Sequence, residues 1–265
     1  MFIDGRKIAF KILDELKETL RQAQGKKKLR LVGILVGEKP ELRKFIELKK
    51  KAVQEIGVDF RIYEFPENIS NNQLREELNK IVKAKVNHGV IIELPLPSHL
   101  NTQYLLNTIP EKKDVDVLSQ KSQGLFFTGR SKILPPSVEA VKQIFEEYNI
   151  DPKGKTAAVF GYGFLVGKLV SHWLNQQGAT VSIITEFTKG PEKFSREADI
   201  VISGVGKQNL ITADMVKDGA AVIDFGKDVD FENVSQKAGL ITPPVGGVGP
   251  IVVASVLKNL LELWS

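Results

Sequence analysis

The stretch that constrains this chain most is Lys155 to Glu186, KTAAVFGYGFLVGKLVSHWLNQQGATVSIITE. Ala157 to Phe160 reads as a short buried strand, and Gly161-Tyr162-Gly163 as the tight turn after it. Phe164 to Gln177 carries apolar residues at 165, 166, 169, 170, 173 and 174, the spacing of a helix with one buried face. After Gly178 a second apolar run, Thr180 to Ile184, reads as another strand. Strand, glycine turn, helix and strand make a βαβ unit whose first turn suits a dinucleotide. Gly161 permits the turn, Gly163 lets backbone approach a pyrophosphate, and Gly167 lets the helix pack closely. N–H groups at the helix start would hold the phosphates. The spacing G-x-G-x-x-x-G is one residue longer than the commonest fingerprint, so context carries the assignment more than the glycines do. Glu186 can accept hydrogen bonds from a ribose 2′-OH and would repel a 2′-phosphate, which favours NAD over NADP. The competing reading is a glycine turn in an α/β protein that binds no nucleotide, with Glu186 a solvated charge.

A chain of 265 residues with 42% hydrophobic content can bury two compact cores or one large one. Cysteine is absent, which excludes a disulfide framework, a thiol nucleophile and a thiolate metal site. His88, His99 and His172 have no ligand-like spacing, so no metal is expected. Neither a signal peptide nor an apolar run of membrane length is apparent, and a soluble cytoplasmic protein without membrane contact is expected. The net charge of +5 is mild. Lys26-Lys27-Lys28 and Lys49-Lys50-Lys51 lack the aromatic interleaving of a nucleic-acid site. They read as a solvated face or as attraction for an anionic small substrate.

Strands and helices alternate along the rest of the chain. Helices are expected after Asp4-Gly5 as far as Gln24, over Pro40–Ile56, from Gln73 to Lys83, and over Thr102–Ile109. Strands are expected at Leu29–Val36, Asp59–Glu64 and Gly89–Ile92. An irregular stretch then runs to Pro135-Pro136, and Ser137 caps a helix over Val138–Tyr148. Past the glycine-turn unit come a strand at Asp199–Ser203, a helix from about Ala213 and a strand at Ala220–Asp224. A loop over Ile241–Pro250 leads to a terminal helix over Ile251–Trp264. The alternation implies mostly parallel sheet with helices on both faces.

Ordered landmarks along the whole chain resemble the methylenetetrahydrofolate dehydrogenase/cyclohydrolase (FolD) family. They are IDGRKIA at 3–9, VGILVGEKP at 32–40, the helix with Lys49 and Lys51, and GVIIELPLP at 89–97. KKDVDV at 112–117, GYGFLVGK at 161–168, AAVIDFGKD at 220–228 and TPPVGGVGP at 242–250 continue the series. The resemblance implies two α/β domains. One is an N-terminal folate-binding domain over 1–136, to which a C-terminal helix at 251–265 crosses back. The other is a Rossmann-type NAD(P)-binding domain over 137–250. Oxidation of 5,10-methylenetetrahydrofolate to the methenyl form is implied, then hydrolysis to 10-formyltetrahydrofolate, with folate in the cleft between domains. A homodimer is implied as well.

The resemblance also assigns roles. Lys49, Glu93 and Asp116 would be catalytic, and Phe45, Lys49, Glu93, Pro95, Asp116 and Gly247 would bind substrate. Gly161, Tyr162, Gly163, Val166, Gly167, Glu186, Gly204 and Gly206 would bind cofactor. Several of these positions depart from the family pattern. Phe45 stands where a Tyr is usual, keeping a face for a pterin but losing the hydroxyl. Glu93 replaces the Gln of V-Q-L-P-L-P, and Val117 replaces the Gly after Asp116. Pro135-Pro136-Ser137-Val138 replaces P-C-T-P. Tyr162 replaces an Arg suited to a 2′-phosphate, and Glu186 a frequent Ser, so both point away from NADP.

Asp116 is retained and could accept two hydrogen bonds from a pterin's amino-pyrimidine edge. Hydride transfer needs mainly positioning in a dry site, whereas cyclohydrolysis needs a proton shuttle. A carboxylate at 93, close to Lys49, would favour the ammonium form and oppose its use as a base. A dehydrogenase with weak or absent cyclohydrolase activity is therefore expected. The alternatives are a non-catalytic folate- or nucleotide-binding homologue, and an oxidoreductase for a different pterin-like substrate.

Overall fold

The structure is a computed structural model and describes residues 1–22 and 29–264, without the side chains of Glu41, Lys44 and Phe45. The Lys26-Lys27-Lys28 run lies outside the described residues. In order, the helices are α1 (Gly5–Gln22), α2 (Pro40–Glu55), α3 (Asn71–Lys83), α4 (Thr102–Leu106), α5 (Gln120–Phe127), α6 (Pro136–Tyr148), α7 (Gly167–Gln176), α8 (Glu192–Ser195), α9 (Phe231–Val234) and α10 (Val248–Trp264). The strands are β1 (Arg30–Val36), β2 (Asp59–Phe65), β3 (Gly89–Ile92), β4 (Thr156–Phe160), β5 (Thr180–Ile184), β6 (Ile200–Ser203), β7 (Ala221–Asp224) and β8 (Leu240–Ile241). They form two separate parallel sheets, ordered β2-β1-β3 and β5-β4-β6-β7-β8. No helix among the described residues is long and apolar enough to cross a membrane.

The chain divides into two units. One holds 10–136 and 253–265; the other holds 1–9 and 137–252. The first nine residues, expected in the N-terminal half, cluster in the structure with 137–252. Backbone bonding is the reason. Ile3 N–H donates to Ile241 O at 2.9 Å and Ile241 N–H to Met1 O at 3.1 Å, which extends the larger sheet past β8. The division falls inside α1 and α10, each of which gives residues to both units.

In the smaller sheet β1 is central and reads Arg-Leu-Val-Gly-Ile-Leu-Val, with every residue after Arg30 buried. Gly33 leaves room for its neighbours there, since a Cβ would come within 2.8 Å of the Ile46 Cδ1 on α2. Leu35, Leu42 and Ile46 pack with Phe60 and Ile62 to cover this sheet. In the larger sheet, Ala158, Phe160, Val201 and Val222 join Ile184, Ile211, Val234 and Ile241 in one core. Short apolar strands without alternation are what a parallel sheet buried on both faces requires.

Several boundaries differ from the sequence expectation. Helix α3 starts at Asn71 because Ser70 and Gln73 form a reciprocal capping box, the Ser70 hydroxyl accepting from Gln73 N–H and the Gln73 carbonyl from Ser70 N–H. The stretch expected to be irregular after Asp116 contains α5, started by Ser119, whose hydroxyl accepts from Ser122 N–H. Ser137 lies inside α6 and caps nothing; its hydroxyl donates to Leu165 O at 2.7 Å. Only one 3₁₀ turn, Ala213–Met215, stands where a helix was expected. Helix α4 stops at Leu106, whereas α10 begins at Val248, inside the glycine-proline run.

Candidate active site

Lys49 reaches the interior because of its place on α2. Leu42, Ile46 and Val53 form the buried stripe of that helix, and Lys49 falls on the same stripe, three residues past Ile46. Its neighbours Lys50 and Lys51 point outward, Lys50 pairing with Glu47 at 3.6 Å. The basic-face reading thus applies to the neighbours and not to Lys49. Its ammonium donates to Glu93 Oε1 at 2.7 Å, with side chains only 14% and 5% exposed.

Glu93 continues the line of β3, its N–H donating to Ile34 O at 3.0 Å. A cis peptide follows between Leu94 and Pro95, and Pro95 is exposed. Phe45 lies on α2 one turn before Lys49, but its side chain falls outside the described residues.

Asp116 comes to this pair on a loop fixed from three directions. Asp114 bridges to Val90 on β3, and its carboxylate accepts from Leu118 N–H at 3.2 Å and Ser119 N–H at 2.8 Å. The Lys113 ammonium donates to Val82 O at 2.7 Å and Ala84 O at 3.0 Å, closing the C-terminal end of α3. From α10, the buried Asn259 amide donates to Val115 O and Leu134 O, both at 2.8 Å. Val117, where the family pattern has Gly, is buried in the left-handed region at φ 58°, the turn that brings Leu118 and Ser119 back to Asp114.

Burial pushes the Asp116 carboxyl up to about 7; Lys49 draws it down, while Glu93 and Asp114 push it up further. Its surface is partly open, but the carboxyl is enclosed by protein on its other sides, and that enclosure governs the shift. Lys49, Glu93 and Asp116 therefore form one electrostatic group in the smaller-sheet unit. It offers one ammonium and two carboxyl groups, enough to bind a cationic or donor-rich heterocycle and to hold or move a proton.

The other candidate residues lie in the larger-sheet unit. Gly161 follows β4 at φ 86°, and a Cβ on Gly167 would stand 2.1 Å from Gly161 O, so only glycine lets α7 begin against the turn. The helix starts at Gly167, three residues later than expected, because Phe164 to Val166 are spent in the turn. A Cβ on Gly163 would meet no protein atom within 4 Å, so space stays open above the turn.

The loop after β6 forms the facing wall. A Cβ on Gly204 would come within 2.9 Å of Val166, and Val205 lies 3.0 Å from where a Gly161 Cβ would be. Gly206, in the same loop, has φ 80°. Open backbone at a helix start, ringed by glycines, fits a pyrophosphate. Tyr162 is half exposed beneath Lys168, whose ammonium lies 5.4 Å from its ring centre. Glu186 is exposed two residues beyond β5. Gly247 belongs to this unit and not to that of Lys49, with its carbonyl against Gly5.

Sequence reasoning passed over Asn259, Lys113 and Asp228, which brace the loops that carry the candidates. Only their placement beside Val115, Val82 and Ser203 distinguishes them.

A Rossmann-type sheet with its glycine turn, carried on one chain with a unit that buries a lysine–carboxylate group, defines a two-domain nucleotide-linked α/β enzyme. Residues 3–116 match the tetrahydrofolate dehydrogenase/cyclohydrolase catalytic domain, and residues 135–265 match the NAD(P)-binding domain of the same family. The bifunctional protein FolD of Nautilia profundicola is 41% identical over 98% of this chain and 95% of its own length. That of Methanococcoides burtonii is 37% identical, over 98% and 94%.

Among solved structures, the bifunctional FolD enzyme of Campylobacter jejuni superposes with a TM-score of 0.94 at 35% identity, covering 99% of this chain and 98% of that one. The Trypanosoma brucei enzyme, complexed with NADP and an inhibitor, gives 0.95 at 29% identity over 100% and 97%. The chain belongs to the tetrahydrofolate dehydrogenase/cyclohydrolase family.

Proposed function

We propose that this protein oxidises 5,10-methylenetetrahydrofolate to the methenyl form and hydrolyses that product to 10-formyltetrahydrofolate, the hydrolysis being the weaker activity. The observation that carries this reading is the Lys49–Glu93 ion pair sharing one group with Asp116. NAD(P), when bound at the glycine turn, supplies the acceptor for a hydride from the methylene carbon. Asp116 accepts from the pterin's amino-pyrimidine edge and fixes that carbon's position, and Phe45 offers a face for the ring. Loss of the hydride leaves a cation delocalised over N5, the carbon and N10, which Glu93 and Asp116 favour electrostatically.

In the hydrolysis, water adds to that carbon and loses a proton. The N5–C bond then breaks as the new hydroxyl gives up its remaining proton and becomes the formyl C=O, N5 takes a proton, and the formyl group stays on N10. Lys49 is the group placed to carry these protons, and its bond to Glu93 holds it back from doing so. The relatives named bifunctional support the presence of both activities. Glu186 and Tyr162 support NAD as the preferred cofactor, with a carboxylate that repels a 2′-phosphate and no arginine to receive one. Solubility in the cytoplasm and a homodimer complete the reading.

The test is a spectroscopic assay with methylenetetrahydrofolate, run separately with NAD and NADP. It follows reduced cofactor, acid-quenched methenyl product, and an unquenched trace. Turnover favouring NAD about tenfold or more, with methenyl product that persists for part of the trace, is the expected result. No turnover with either cofactor in a folded protein would remove the enzymatic reading and leave a binding protein.

A further inference from the structure

Asp228 is fully buried, and the proposed chemistry gives it no part. Its Oδ2 accepts from the Ser203 hydroxyl at 2.6 Å and from Val205 N–H at 2.7 Å, and its Oδ1 accepts from Lys207 N–H at 2.7 Å. Burying a carboxylate is costly, and here the cost is offset by hydrogen bonds that all end on one short segment, 203–207. That segment contains two glycines and, unrestrained, would be among the freest stretches of backbone in the unit. It is also the wall that faces the glycine turn, with Gly204 on Val166 and Val205 against Gly161.

Asp228 is itself aimed by a second carboxylate. Asp224, at the end of β7, accepts from Gly226 N–H at 2.8 Å and Val229 N–H at 3.0 Å, folding 225–229 into a compact turn. A Cβ on Gly226 would stand 2.7 Å from the Asp228 carboxylate and 2.8 Å from Gly206 N, so the turn lies directly on the loop.

We infer that Asp228 is a positioning residue for dinucleotide binding: it clamps loop 203–207 against the glycine turn, so that the wall facing the cofactor is preformed. This rests on the reading that the dinucleotide lies on that turn. Ordering a two-glycine loop before the ligand arrives removes an entropic cost from binding, so loss of the clamp weakens cofactor affinity. Folate affinity depends on Lys49, Glu93 and Asp116 and should not follow.

The experiment uses the full-length enzyme with Asp228→Asn, Ser203→Ala and Gly206→Val. Reduced cofactor binding is followed by fluorescence, with KM for cofactor and for methylenetetrahydrofolate and the unliganded Tm measured alongside. Asp228→Asn should raise the cofactor Kd and KM about tenfold or more, since an amide has only one acceptor oxygen for three donors. Ser203→Ala, which removes a single donor, should raise both about fivefold. In each variant the KM for methylenetetrahydrofolate should stay within about twofold of wild type, because the folate group is not changed.

A lowered Tm with unchanged cofactor Kd would mean that the clamp serves stability alone, and would overturn the inference. Should Asp228→Asn fail to fold, Ser203→Ala decides by the same readout. Gly206→Val probes the underlying reading, because it puts a branched side chain on the loop at φ 80°. Unchanged cofactor Kd in Gly206→Val would show that the dinucleotide lies elsewhere. Weakened binding in Gly206→Val but not in the two clamp variants would overturn the positioning role while leaving the cofactor site in place.

Discussion

At the residue scale the chemistry turns on how one ammonium is shared between two carboxyl groups. Asp116 rises to about 7 mainly through burial, against an ordinary value of 3.8. In the proposed role the carboxylate accepts from a pterin, and the neutral acid would lose much of that capacity. The KM for methylenetetrahydrofolate should therefore climb as pH falls below about 7, and Asp116→Asn should give a raised KM with that pH step removed.

The same group sets a sign for stability. A carboxyl whose folded value is raised contributes stability fully below about 3.8 and loses that contribution as pH rises through about 7. Urea unfolding should show wild type losing ground to Asp116→Asn across that interval and no further change above it. Glu93→Gln removes one negative charge from the group while keeping an oxygen for Lys49. It should move the pH step in KM lower and raise cyclohydrolase turnover relative to dehydrogenase turnover about tenfold, read from the persistence of the methenyl product. An unchanged ratio would show that Glu93 does not restrain Lys49.

At the scale of elements, what could be read from sequence was whatever local chemistry announces. Thr180–Ile184 is a strand at the expected residues, because its apolar run is bounded by glycine on one side and polar residues on the other. The place of α7 was readable too, but its start was not. Apolar spacing at 165 and 166 continues a helical period that the turn, held by Gly167 against Gly161, cuts short. Gly167→Ala should cost about 3 kcal/mol and abolish cofactor binding, since backbone rather than a flexible side chain would have to give way. Thermal unfolding and cofactor fluorescence together measure both effects.

Helix α5 was missed because its sequence, QKSQGLFF, is weakly patterned; the Ser119 cap was the available signal. The Ser70–Gln73 capping box was equally visible and marks the true start of α3. Lys49, Glu93 and Asp116 were found through family motifs, and no periodicity would have joined three residues separated by dozens of positions. Their braces escaped notice because a lone Asn on a terminal helix has no meaning until its carbonyl partners are in place.

At the scale of the whole molecule, each unit is built from two separate segments of the chain, and α1 and α10 supply residues to both. Neither unit is complete without one of these helices, so unfolding should be a single transition, by calorimetry and by circular dichroism alike. Reduced cofactor at about 100 times its Kd should add about 2.7 kcal/mol and move that transition as one. Two resolved transitions, with only one responding to cofactor, would show that the units melt separately.

The crossing of α10 also bears on how the protein is made. Asn259, which fixes Val115 and Leu134 on either side of α5, is synthesised after every strand of the dinucleotide half. A ribosome that has delivered residues 10–136 has therefore delivered most of that unit without its brace. Synthesis of Lys49 and synthesis of Asn259 are separated by about two hundred residues. A chain stopped at Val252 should be cut readily by protease throughout 10–136, although every residue of that segment is present. On this order of synthesis, the unit that holds Lys49 should be completed last, after residues 1–9 and 137–252 of the other unit have been made.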